Sequence, residues 1–200
     1  MTALIPIRAK KRIMKTYTVK KGQSNFRPYE PIWPIFGARG FEVEFEFVPG
    51  GWSSPAEWTV DGVLDADRGD YQKLAGLTNF FSGNGSNTAF TGFFPGDEPE
   101  TWVVGAYVNY PGSAFKFDQK NTIVVRSGDT GAIVCAFSGG KARYKLIAGS
   151  TVKETSFDFR KSRIMRQAGT FAGGSNNSPG PYGGVAIKDM AVRIGFKVTR

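Results

Sequence analysis

The side chains best placed for chemistry begin with a row of carboxylates: Glu42, Glu44 and Glu46, alternating with Phe41, Val43, Phe45 and Phe47. Residues two apart on a strand lie about 6.5–7 Å from each other, a spacing that overlaps the carboxyl separation used in glycoside hydrolysis. No recognisable site surrounds the row. The expectation is therefore a polar strand face neutralised by Arg193, Lys197 or the basic cluster Arg160, Lys161, Arg163 and Arg166. Asp61, Asp65, Asp67 and Asp70 crowd one stretch and offer the hard oxygen donors that suit calcium. Position twelve counted from Asp65 is Gly76, where an EF-hand requires Glu, and aspartates also gather at helix N-termini for dipole reasons. No metal and no cofactor are expected, with calcium at these four aspartates as the exception to test. Arg68-Gly69-Asp70 spells an integrin-ligand tripeptide, a length at which chance matches are common.

The chain has no histidine, which removes the commonest general base and imidazole ligand and argues against hydrolase triads and most zinc sites. An enzyme is not expected. Trp52, Trp58, Tyr110 and Tyr182, together with Trp102, are candidates for stacking on sugar rings, with core or interface packing as the competing use. A single cysteine rules out an internal disulfide framework, and Cys135, set in an apolar run, reads as a small buried hydrophobe.

The formal charge of +9 sits mostly in residues 1–30, where Arg8, Lys10, Lys11, Arg12, Lys15, Lys20, Lys21 and Arg27 face Glu30 alone. A basic arm on a nearly neutral body suits an acidic neighbour, whether nucleic acid, protein or an anionic surface; a solubilising tail has the same composition. Neither a signal-peptide core nor a run of eighteen apolar residues is present, so neither export nor a membrane span is expected. Asn84-Gly85-Ser86 and Asn176-Asn177-Ser178 then read as turns, not as glycosylation sites.

The elements that must position these residues are strands. Seventeen Phe, seven Tyr and four Trp with twenty-six Gly and eleven Pro describe an aromatic-rich, turn-rich chain of the all-β kind. Alternation in 41–47 and in 192–198 predicts two half-buried strands, paired antiparallel, with Glu set against Arg193 and Lys197. Further strands are expected at 16–19, 88–94, 101–110, 121–126, 132–137, 141–147 and 156–165. The three at 121–147 are expected to form a meander with turns at 127–130 and 138–140. One helix is expected, over Asp65 to Phe81, with Asp67 or Asp70 as its cap and Tyr71, Leu74, Ala75 and Thr78 on one face. The division is an arm at 1–30 and a single body at 31–200.

Gly173-Gly174, Pro181-Tyr182-Gly183-Gly184 and Ile187-Lys188-Asp189-Met190-Ala191-Val192 resemble the closing segment of concanavalin A-like, laminin-G-like jelly rolls. There a Gly-Gly strand end precedes an aromatic-Gly turn and an Ile-x-Asp-hydrophobic strand that pairs near the first one. The resemblance implies an all-β, antiparallel jelly-roll β-sandwich, here with an extended basic N-terminal arm, and places no family calcium ligands on this chain. Such a sandwich with no export signal and no catalytic constellation leads to one functional expectation. It is a structural protein of a virus particle, a phage head-decoration or tail component, located in the virion and contacting other virion proteins and copies of itself. The alternatives are a carbohydrate-binding module, whose partner is a glycan, and a small-virus coat protein whose arm binds nucleic acid as RNA.

Overall fold

A computed structural model of the chain describes residues 14–19, 38–50, 59–60, 63–64, 72–78, 88–109, 116–158, 167–170 and 190–200. All regular elements among them are strands: β1 (Lys15–Val19), β2 (Gly40–Phe47), β3 (Thr59–Val60), β4 (Val63–Leu64), β5 (Gln72–Thr78), β6 (Thr88–Pro95), β7 (Thr101–Asn109), β8 (Lys116–Phe117), β9 (Ile123–Arg126), β10 (Thr130–Ser138), β11 (Lys141–Ala148), β12 (Thr151–Asp158), β13 (Gln167–Thr170) and β14 (Met190–Thr199). They build two antiparallel sheets. The first has six strands in the order β1-β14-β2-β10-β11-β12. The second runs β13-β5-β6-β7-β8, with β9 also pairing β7, and β3-β4 is a separate small ribbon.

The two alternating segments meet as their patterns require. Val192 lies opposite Phe47, Ile194 opposite Phe45, Phe196 opposite Val43 and Val198 opposite Phe41, while Arg193 faces Glu46 and Lys197 faces Glu42. The apolar row of β2 is fully buried and packs on the second sheet. Phe47 stacks on Trp102 of β7 (centroids 4.6 Å, planes 15° apart) and touches Phe93 of β6 at 5.0 Å. Tyr144 of β11 spans the same interface, its buried hydroxyl donating to the Tyr107 carbonyl at 3.2 Å. Burying aromatic rows of this size is the main stabilising term of the sandwich.

Three expectations are corrected. Within the helix expected over 65–81, the described residues are strand: β5 pairs β13 on one side and β6 on the other. Leu74, Ala75, Gly76 and Leu77 are all buried, so the segment is a central strand without polar alternation. A Cβ at Gly76 would lie 2.2 Å from the Ala89 carbonyl oxygen, so this glycine serves a close strand approach. The meander is β10-β11-β12; β9 belongs to the other sheet, against β7, and its turn at 127–130 carries the chain across the sandwich. Finally, the strand expected to start at Ser156 starts at Thr151, directly after a two-residue turn. Within the expected arm, residues 15–19 form β1 and pair with β14 along the edge of the first sheet.

Candidate ligand-binding face

The outward side of the first sheet is built by the residues that alternate with its core. On β10, Ile133 and Cys135 point in while Val134 and Ala136 point out. On β11, Ala142, Tyr144 and Leu146 are buried while Lys141, Arg143 and Lys145 are exposed. On β12, Thr155 and Phe157 are half-buried while Glu154, Ser156 and Asp158 are exposed. Register lines these up in cross-strand rows: Glu42–Val134–Lys145–Glu154, then Ala136–Arg143–Ser156, then Lys141–Asp158. Between them lies an open groove of ≈ 450 Å³ lined by Val134, Ala136, Arg143, Lys145, Glu154, Thr155 and Ser156, with Tyr144 at its base.

Most charges on this face are paired across strands. Arg193 donates to both carboxylate oxygens of Glu46 at 2.9 and 3.2 Å. Lys197 lies 4.0 Å from Glu42, and Lys141 lies 3.7 Å from Asp158. Lys145 and Glu154 are register neighbours without an ion pair between them. The carboxylate row raised as a catalytic pair is thus a polar sheet face, with Glu44 opposite Gly195 and Ala132. Arg143 is held differently, by neutral oxygens. Its Nη1 donates to the Ser138 carbonyl at 3.0 Å and to the Ser138 hydroxyl, and among the described residues it has no carboxylate partner. That leaves a cation in the groove held by neutral acceptors, with its remaining N–H donors available to a ligand.

Asp118 ties the β8–β9 turn to β12. Burial pushes its carboxyl upward, but hydrogen bonds outweigh this and hold it below the usual carboxylate value. The donors are Asn121 Nδ2 (2.7 Å), the Thr155 hydroxyl, and the backbone N–H groups of Lys120 (3.0 Å) and Asn121 (3.3 Å). Cys135 is buried under the groove floor; desolvation raises its thiol pKa far above the ordinary range, only partly countered by a hydrogen bond with Tyr144.

Of the candidates read from sequence, Trp102 is in the core and Lys15 is exposed on β1. Trp52, Trp58, Tyr110 and Tyr182 lie outside the described residues, as do Asp61, Asp65, Asp67 and Asp70, and Arg8, Lys10, Lys11, Arg12, Lys20 and Lys21. The described residues contain no group of three or more Cys, Asp or Glu placed to hold a metal. Sequence reasoning missed the groove. Its signal was three cations at alternate positions 141, 143 and 145, next to a strand with valine on its outward side.

Solved structures share this architecture. The alginate lyase Aly36B, as a double mutant in complex with alginate tetrasaccharide, is 9% identical over 94% of this chain and 80% of that one, with a TM-score of 0.56. The alginate lyase from Klebsiella pneumoniae is 12% identical over 82% of this chain, with a TM-score of 0.51, and this chain spans 61% of that protein. Alginate lyase vAL-1 from Chlorella virus is 10% identical over 96% and 87% of the two chains, with a TM-score of 0.50. At these identities the likeness establishes the fold alone: an all-β, antiparallel jelly-roll β-sandwich. No family model and no curated protein matches the chain.

Proposed function

We propose that the outward face of the six-stranded sheet binds a polysaccharide, seated in the groove over β10–β12. The carrying observation is Arg143, a cation in an open groove whose only described partners are neutral oxygens. An extended sugar chain needs a long, shallow surface with a few fixed polar groups, and the rows around Arg143 supply one. The structural neighbours named above as alginate lyases support the reading, since one of them holds an alginate tetrasaccharide. Alginate carries a carboxylate on every sugar, which a guanidinium can clamp through two N–H donors.

The proposed activity is binding without cleavage. Elimination next to a uronate carboxylate requires a base poised to take a proton from carbon. The chain has no histidine, and the described tyrosines Tyr17, Tyr107 and Tyr144 are buried in the sandwich. The test is calorimetric titration with alginate oligosaccharides and, in parallel, with neutral glucans, for the full chain and for Arg143→Ala. Binding of the acidic sugars that falls at least tenfold in the variant supports the reading. Equal affinity in both proteins removes Arg143 from it, and unsaturated sugar ends accumulating in the mixture would replace binding with lyase activity.

A second reading, a structural component of a virus particle, draws support from β1. The basic arm adds a strand to the sheet edge through residues 15–19. Fixed stoichiometry in a purified particle would favour it, and absence from such particles would end it.

A further inference from the structure

The first sheet ends in β12, and among the described residues β12 pairs with β11 alone. It is an unusually regular edge: all residues from Thr151 to Asp158 are in register with β11, with no bulge and no proline. An edge of that kind is a template for another strand. We propose that β12 pairs antiparallel with β12 of a second copy of this chain about a twofold axis at Thr155, joining two six-stranded sheets into one.

The backbone is arranged for this. The β11–β12 connection is a two-residue turn, Gly149-Ser150, with Gly149 at φ +56° and Ala148 opposite Thr151. In such a hairpin the closing pair exchanges hydrogen bonds and later pairs alternate. The main-chain groups of Thr151, Lys153, Thr155 and Phe157 therefore turn toward β11, and those of Val152, Glu154, Ser156 and Asp158 turn to the open edge.

Charge selects the partner and the register. A twofold axis perpendicular to the sheet keeps core face with core face, so only residues of the same parity can lie opposite each other. Centring the axis on Lys153 sets lysine against lysine, and centring it on Glu154 sets glutamate against glutamate. Centring it on Ser156 sets Glu154 against Asp158. Like charges directly opposite are unfavourable. Among the axes that pair five or more residues of each strand, only the one at Thr155 avoids them. It places Glu154 opposite Ser156 and Val152 opposite Asp158, and lays the stem of Lys153 across Phe157, the half-buried ring that packs on Tyr144 at 5.9 Å. Because Glu154, Thr155 and Ser156 also line the groove, the pairing would bring the two grooves side by side across the axis. The pairing itself does not depend on what the groove holds.

The experiment is sedimentation equilibrium of the full chain and of two charge variants at exposed Ser156, which faces Glu154 of the other copy twice per dimer. The expected results are a reversible dimer, a dissociation constant raised roughly twofold to thirtyfold by Ser156→Glu, and one lowered by a similar factor by Ser156→Lys, both effects shrinking in high salt. A disulfide provides a second readout, since native Cys135 is buried: Thr155→Cys should cross-link to its symmetry mate and Lys153→Cys should not. A chain that stays monomeric up to its solubility limit overturns the proposal. So does a dimer indifferent to both charges at position 156, or one that cross-links equally through 153 and 155.

Discussion

Phe47 marks the point where the two sheets are joined most tightly, and replacing it with alanine tests that reasoning quantitatively. The ring is fully buried, stacks on Trp102 at 4.6 Å, and has Phe93 at 5.0 Å and Phe45 at 5.7 Å. Relaxation into the vacated space is restricted, because the Trp102 indole N–H is fixed to the Ser127 hydroxyl at 2.9 Å. A Phe→Ala change in such a site costs about 3–5 kcal/mol, and limited collapse favours the upper part of that range. Total stabilities of domains are about 5–15 kcal/mol, so a third or more of the fold's stability is at stake. With a urea m-value near 2 kcal/mol/M, the midpoint should fall by about 1.5–2.5 M. Urea unfolding followed by circular dichroism reads this directly, with Phe47→Leu as a control expected to lose less than about 1.5 kcal/mol. Phe196, only partly buried on the same sheet, supplies the internal comparison. If Phe47→Ala costs no more than Phe196→Ala, the stacked joint does not hold the sheets and the account of the core is wrong.

Three further outcomes are expected. Arg193→Ala should cost only about 0.2–1 kcal/mol at low salt and almost nothing at high salt, because the Arg193–Glu46 pair is solvated on the arginine side; a loss that survives high salt contradicts this. Asp118→Asn should destabilise the protein at neutral pH. The native carboxyl titrates below its ordinary value, so the unfolded chain binds more protons in that window and the wild-type advantage shrinks as pH falls below about 4; a difference that is flat from neutral pH into acid refutes the linkage. Cys135 should react with a thiol reagent no faster than the chain opens, since it is buried and its thiolate is strongly disfavoured. Labelling of the native protein at the rate of a free thiol would show that the groove floor is not closed.

How far the sequence could be read depended on whether a segment shows two different faces. β2 and β14 do, and their alternation fixed both the pairing and the charge matches across it. β5 does not: with both faces covered, its small residues Ala75 and Gly76 left no period of two, and the spacing of Tyr71, Leu74 and Thr78 imitated a helix. β9 was legible as a strand but not as a member of the second sheet. A short turn normally joins neighbours, and nothing local to 127–130 announces a crossing between sheets. The groove was hidden for a related reason. Val134, Arg143, Lys145 and Glu154 are unremarkable along the chain and become a site only once three strands are placed in register. The fold's class was readable because composition and turn chemistry suffice for that.

The position of β14 has a kinetic consequence. β1 finds its described neighbour only in β14, and β2 has β14 on one flank and β10 on the other, so no strand in this half of the sheet is completed by chain close to it in sequence. Loop-closure entropy must be met before those long-range contacts form, which places refolding toward the slow end of small-domain rates. Until residues 190–199 dock, the phenylalanines of β2 present an open flank, and that interval is when association with the wrong strand competes with folding. Cleavage just ahead of residue 190 would let β14 leave, so that β1 loses its described neighbour and β2 one flank, while β2 stays paired with β10 and the β10-β11-β12 meander keeps its own hydrogen bonds.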